Sequence, residues 1–123
     1  MAKATICILE DDDAVRDSMS WLLTLKDYRV IDYKLPSSFL REVETVRPDC
    51  LLSDFRLPEM SGLEVQAYLK KKRLLIPVIF ISGHADAALL QDIDESGALG
   101  LLLKPINDKE LFKLIAIACH HQA

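Results

Sequence analysis

Three cysteines among 123 residues are too few, and odd in number, for a disulfide framework. Cys7, Cys50 and Cys119 each sit in an apolar run, where reduced, buried thiols are expected. No stretch approaches the roughly 20 apolar residues that a membrane-spanning helix needs, and the first ten residues lack a charged-then-apolar secretory pattern. A cytoplasmic location without a membrane partner is therefore the expectation. An excess of positive charge is also missing: 15 Lys and Arg against 19 Asp and Glu leave a formal net charge of −4. Without a basic footprint, direct nucleic-acid binding is not expected. The basic run Lys70-Lys71-Lys72-Arg73 falls at the end of an expected helix, where cations complement the helix dipole. No linker, repeat or low-complexity segment divides the chain, so residues 1–123 are expected to form one domain. The last helix is expected to run out at Cys119-His120-His121-Gln122-Ala123, with no output domain expected in residues 1–123.

What is present suits a folded chain, with 50% hydrophobic and 28% charged residues. Short apolar, β-branched runs at Thr5 to Leu9, Arg29 to Tyr33, Asp49 to Ser53, Val78 to Ser82 and Leu99 to Leu103 predict five strands. Several are continuously apolar, as parallel strands covered on both faces must be. Helix-like periodicity fills the intervals. Val15, Ser18, Met19, Leu22 and Leu23 mark the buried face of a helix from about Asp13 to Lys26, with Trp21 at the core edge or on the surface. Ser61-Gly62-Leu63-Glu64 is a capping-box pattern, and Asn107-Asp108-Lys109-Glu110 resembles one ahead of a core face at Leu111, Leu114, Ile115 and Ala118. Alternating strands and helices predict an α/β fold: a doubly wound, five-stranded parallel sheet with about five helices.

Ligands of such a sheet bind where its strands end at their carboxyl edge. There the first strand delivers Glu10-Asp11-Asp12-Asp13, the third Asp54, the fourth Ser82 and the fifth Lys104-Pro105. Two carboxylates held 4 Å apart repel by roughly 4 kcal/mol at an effective dielectric near 20, so a cation is expected among them. Few, oxygen-only ligands favour Mg²⁺. With Lys104 as a second positive charge, the set suits phosphoryl transfer: Asp54 as nucleophile, Glu10 and Asp11 on the metal, Ser82 and Lys104 on the phosphoryl oxygens.

These residues resemble the receiver domains of two-component response regulators, and more closely the FixJ-like subgroup. The motifs are "ILEDDDAVR" at 8–16, "SDFRLPEMSGLE" at 53–64, "PVIFISGHAD" at 77–86 and "LLLKPI" at 101–106. The resemblance implies a flavodoxin-like sheet in strand order 2-1-3-4-5 and phosphorylation of Asp54 by a histidine kinase or phosphotransfer protein with Mg²⁺ bound. It further implies that the Arg56 backbone carbonyl is a metal ligand, that Lys104-Pro105 is a cis peptide, and that Pro58 and Gly62 shape the turn into the third helix. The kinase would meet the first helix and the loop after Lys104. The surface of the fourth helix, fifth strand and fifth helix would change on phosphorylation to control a homodimer or an output partner. The domain would catalyse only its own phosphorylation and dephosphorylation. Two departures stand out. Glu10 replaces the commoner Asp, and Leu101 occupies the place of an aromatic that rotates inward in many receivers, so signals are expected to travel by loop and helix shifts. Arg56 and His84 would flank the phosphorylation site.

Two other functions fit parts of the pattern. A haloacid-dehalogenase-type phosphatase would use Asp11 and Asp13 as its D-x-D pair, but it leaves Asp54 unexplained and the chain has no room for a cap domain. A binding module that kept the fold and lost phosphorylation is disfavoured by the full set Asp11, Asp54, Ser82 and Lys104.

Overall fold

Each predicted apolar run becomes a strand in the computed structural model, which describes residues 2–120, so that the expected chain end at His121, Gln122 and Ala123 lies outside it. The order is β1 Thr5–Leu9, α1 Asp13–Leu25, β2 Arg29–Tyr33, α2 Pro36–Val46, β3 Cys50–Asp54, α3 Gly62–Lys71, β4 Val78–Ser82, α4 Ala87–Ser96, β5 Gly100–Leu103 and α5 Asp108–His120. All strand pairs are parallel, in the order β2-β1-β3-β4-β5. The chain winds outward from β1 to β2, then crosses back to β3. That reversal is the switch point, and it lies between β1 and β3.

The strand period of two splits the core into two layers. Ile6, Ile8, Cys50, Leu52, Ile79, Ile81 and Leu102 pack against Met19 and Leu23 of α1 and Leu111, Ile115 and Ala118 of α5. Cys7, Leu9, Leu51, Val78 and Phe80 face Phe39 and Val43 of α2, Val65 and Leu69 of α3, and Leu89 and Ile93 of α4. The inner strands β3 and β4 are buried at every residue, which is why each is apolar up to the polar residues that close it at the carboxyl edge.

Several expectations shift. β3 starts one residue late and takes in Asp54, because Asp54 pairs with Ile81 in the ladder while Asp49 accepts the Thr5 N–H on its carboxylate at 2.8 Å. β5 begins at Gly100 rather than Leu99. Ser18, expected on the buried face of α1, is exposed; a groove of about 300 Å³ between α1 and the segment from Lys104 to Asp108 leaves it open. Leu114 is half-buried against the core. Trp21, 64% exposed, is a surface aromatic. Cys7 and Cys50 are buried free thiols, whereas Cys119 is only half-buried. Burial pushes the Cys7 thiol up to about 12 and that of Cys119 to about 11, so neither is poised as a nucleophile. The capping box at Ser61 and Glu64 forms in both directions, and Asn107 accepts the Glu110 N–H. In the basic run, Lys70 and Lys71 close the last turn of α3, and Lys70 donates to the Ser96 carbonyl at the end of α4. Among the described residues no helix is long and apolar enough to cross a membrane.

Candidate functional site

The carboxyl ends of β1, β3, β4 and β5 bring Glu10, Asp54, Ser82 and Lys104 to one rim. Glu10 follows β1 and is fully buried. Its Oε2 accepts the Asp12 N–H at 3.1 Å, and its backbone carbonyl accepts a hydrogen bond from Arg16 Nη1 at 2.9 Å. Asp12 caps α1 by accepting the Val15 N–H at 3.1 Å. The turn after β1 is therefore fastened to the first turn of α1, and Asp11 is left exposed between them. Arg16 also pairs with Asp13 at 2.7 Å. It braces the acidic turn, a role that residue type and helical spacing do not assign; its place in the first turn after four acidic residues is the sequence signal that marks it.

Asp54 ends β3, almost wholly buried. Its Oδ1 accepts the Arg56 N–H at 3.0 Å and its Oδ2 takes a hydrogen bond from Lys104 Nζ at 2.9 Å. The same ammonium lies 3.0 Å from Glu10 Oε1. That contact is an ion pair without hydrogen-bond alignment, so Oε1 is a buried oxygen that no donor saturates. Burial pushes the Glu10 carboxyl up to about 7, against the pull of the Asp12 N–H and of Lys104. At Lys104, partial burial works against the charge, but Asp54 and Glu10 more than offset it and hold the pKa above the ordinary lysine value. One cation thus serves two buried carboxylates. Carboxylate oxygens of Glu10, Asp11 and Asp54 all lie within 4.8 Å of one another. A buried, unsaturated oxygen beside two further carboxylates is the donor set a hard divalent cation requires, and Mg²⁺ fits it.

Ser82 closes β4, buried, with its hydroxyl turned into its own loop. It donates to the His84 carbonyl at 2.7 Å and accepts the His84 N–H at 3.1 Å. The Ser82 carbonyl accepts the Lys104 N–H at 2.9 Å, tying the ends of β4 and β5 together. Behind the site, Gly62 opens α3 against the backbone of Asp54, and its N–H donates to the Phe55 carbonyl at 2.9 Å. Lys104-Pro105 is a cis peptide.

The sequence profile of the response regulator receiver domain matches residues 6–116. The chain belongs to that family. Among curated relatives, the response regulator protein TodT of Pseudomonas putida is 39% identical over 115 residues, covering 94% of this chain and 51% of the relative. The transcriptional regulatory protein FixJ of Rhizobium meliloti is 31% identical over 121 residues, covering 98% of this chain and 59% of that protein. The chain thus spans about half the length of the curated relatives it matches. Among solved structures, the crystal structure of FixJ-N superposes with a TM-score of 0.88 at 31% identity, covering 98% of this chain and 97% of that one. Full-length FixJ from B. japonicum gives a TM-score of 0.90 at 29% identity, covering 98% of this chain and 59% of that one. The resemblance to FixJ-like receivers therefore holds in both sequence and fold.

As a receiver domain, the chain gathers Glu10, Asp11, Asp54 and Lys104 into one cluster, with the Arg56 backbone beside it. The Arg56 side chain and His84 are exposed at the rim. Leu101 is half-buried against the layer that contains Phe80, so the position holds a packed aliphatic side chain with no ring to rotate. Asp13 of the D-x-D alternative is engaged by Arg16 and by Lys34, at 3.8 Å from the latter.

Proposed function

We propose that the chain is a phosphoacceptor switch of a two-component system, taking a phosphoryl group on Asp54 from a histidine kinase or phosphotransfer protein. The observation that carries this reading is Lys104 Nζ held 2.9 Å from Asp54 Oδ2, beside carboxylate oxygens clustered within 4.8 Å. Glu10, Asp11, Asp54 and the Arg56 carbonyl would hold Mg²⁺. When bound, the ion supplies charge neutralisation for the phosphoryl oxygens and for the crowded carboxylates.

This chain's own residues do the rest. A carboxylate oxygen of Asp54 attacks phosphorus, the donor's P–N bond breaks, and the departing imidazole takes up a proton. Lys104 offsets charge on the transferred group. The new acyl phosphate adds about −1.5 to −2 charges and three acceptor oxygens. Ser82 then has a competing partner: its hydroxyl can leave the His84 carbonyl for a phosphoryl oxygen, drawing in the loop between β4 and α4. The surface of α4, β5 and α5 would change with it. Leu90, Leu103 and Ile117 are exposed there and suit a homodimer or an output partner. The groove between α1 and the Lys104–Asp108 segment would receive the phosphodonor protein. Turnover of external phosphomonoesters is not part of this function.

Incubation with acetyl phosphate tests the proposal. The wild type should gain the mass of one phosphoryl group with Mg²⁺ and none with EDTA; no gain under either condition sinks the reading. Arg56 and His84 flank the acyl phosphate and screen it from water. Arg56→Ala and His84→Ala should each speed dephosphorylation severalfold without altering thermal stability. Unchanged decay rates in both variants would remove that role.

A further inference from the structure

Among the described residues, four other than glycine adopt positive φ: Asp27 (69°), Arg47 (46°), Glu59 (70°) and Arg73 (57°). Asp27, Arg47 and Arg73 follow the ends of α1, α2 and α3, where a left-handed residue commonly terminates a helix. Glu59 stands elsewhere, in the loop between Asp54 and α3. A left-handed conformation is unfavourable for a side chain with a Cβ and persists only where the surroundings impose it.

The surroundings that impose it are visible. Glu59 Oε1 accepts the Ser37 backbone N–H and Oε2 accepts the Ser37 hydroxyl, both at 2.9 Å, across 22 residues of sequence. α2 lacks these acceptors locally: its N-cap is Leu35, with no side-chain capping bond, and its first turn carries no acidic residue. An orphan N–H and the positive end of the α2 dipole are thus satisfied by a carboxylate from a different loop. At the ends of that loop Phe55 N–H donates to the Ile81 carbonyl of β4 and Ser61 exchanges capping bonds with Glu64 of α3, while Arg56 N–H to Asp54, Met60 N–H to Pro58 and Gly62 N–H to Phe55 are local. Among the described hydrogen bonds, those that Glu59 accepts from Ser37 are what fasten residues 56–60 to a remote element.

We infer that Glu59 is a positioning residue for the metal and phosphoryl site, holding the course of residues 56–60, and with it the Arg56 carbonyl, by its grip on the first turn of α2. This rests on the reading of Glu10, Asp11 and Asp54 as a Mg²⁺ site. The linkage is reciprocal: an ion that steadies the loop steadies the start of α2.

Calorimetric Mg²⁺ titration combined with amide hydrogen exchange tests it. Glu59→Gly relieves the backbone and removes the carboxylate, which separates a loss of grip from a loss of fold. Its Mg²⁺ dissociation constant should rise about fivefold, the scale of one or two charge-assisted hydrogen bonds at an exposed position. Ser37→Ala, which keeps the backbone donor, should show a smaller rise, and Ser37→Thr should match the wild type. Exchange should quicken together in residues 36–39 and 56–60 of Glu59→Gly. Unaltered Mg²⁺ affinity in Glu59→Gly, with faster exchange confined to α2, reduces Glu59 to a helix cap and overturns the inference alone. A wild type that binds no Mg²⁺ overturns the site reading and this inference with it.

Discussion

Asp54→Asn is expected to take up no phosphoryl group from acetyl phosphate and Mg²⁺ under conditions that load the wild type fully, as read by intact mass. An amide oxygen carries no formal charge and cannot displace a phosphoryl leaving group at a useful rate, so the covalent step loses its nucleophile outright. Unfolding is not the cause to fear. Asp54 sits among carboxylates, and two such charges at 4 Å repel by roughly 4 kcal/mol at an effective dielectric near 20. Lys104 offsets part of this, and in the Asn variant it retains its contact with Glu10 at 3.0 Å. Metal-free Asp54→Asn should therefore melt no lower than the wild type. Mg²⁺ should raise the melting temperature of the wild type more than that of the variant, since an ion that binds only the folded state stabilises it more the tighter it binds. Phosphoryl uptake by Asp54→Asn at the wild-type rate would place the acceptor elsewhere in the rim, with Asp11 the first residue to test.

The sheet was legible because its inner strands are buried on both faces and run apolar until the polar residues at their carboxyl ends. Strand limits were less so: whether Asp54 belongs to β3 depends on its pairing with Ile81, a contact between segments far apart in the chain. Glu10, Asp11, Asp54, Ser82 and Lys104 could be named because each ends or follows a strand whose carboxyl end the topology sends to the same edge. Side-chain direction could not. The Ser82 hydroxyl engages the His84 backbone, a choice set by the local turn rather than by residue type. The support given by Arg16 to the Glu10 carbonyl and by Glu59 to Ser37 joins elements through single side chains, for which no periodic pattern exists. Ser18 was misplaced for a related reason: helical spacing puts it on the inner face, but the neighbour needed to cover it is not there.

Gly62→Ala should lower stability by about 1–2 kcal/mol, or roughly 4 °C in melting temperature per kcal/mol for a domain of this size. The backbone at Gly62 is not of a kind that glycine alone can adopt; space is what it lacks. A Cβ there would lie 2.6 Å from the Asp54 carbonyl oxygen, 2.8 Å from Phe80 Cε1 and 3.2 Å from Phe55 Cα. Two of these are backbone atoms, and the third belongs to a ring buried completely and held edge-on against Phe55 at 5.5 Å. None is the free end of a flexible chain. Alanine gains up to about 1 kcal/mol of helix propensity over glycine, which offsets only part of the crowding. The strain is relieved most readily by moving the end of β3 away from α3, and Asp54 moves with it. Mg²⁺ affinity and phosphoryl uptake should therefore fall along with the melting temperature. Gly83→Ala is the matched control: a Cβ there meets nothing within 4 Å, so its melting temperature should stay within a degree or two of the wild type or rise slightly. If Gly62→Ala melts and binds Mg²⁺ as the wild type does, the close packing of α3 on the end of β3 is not what holds Asp54 in place.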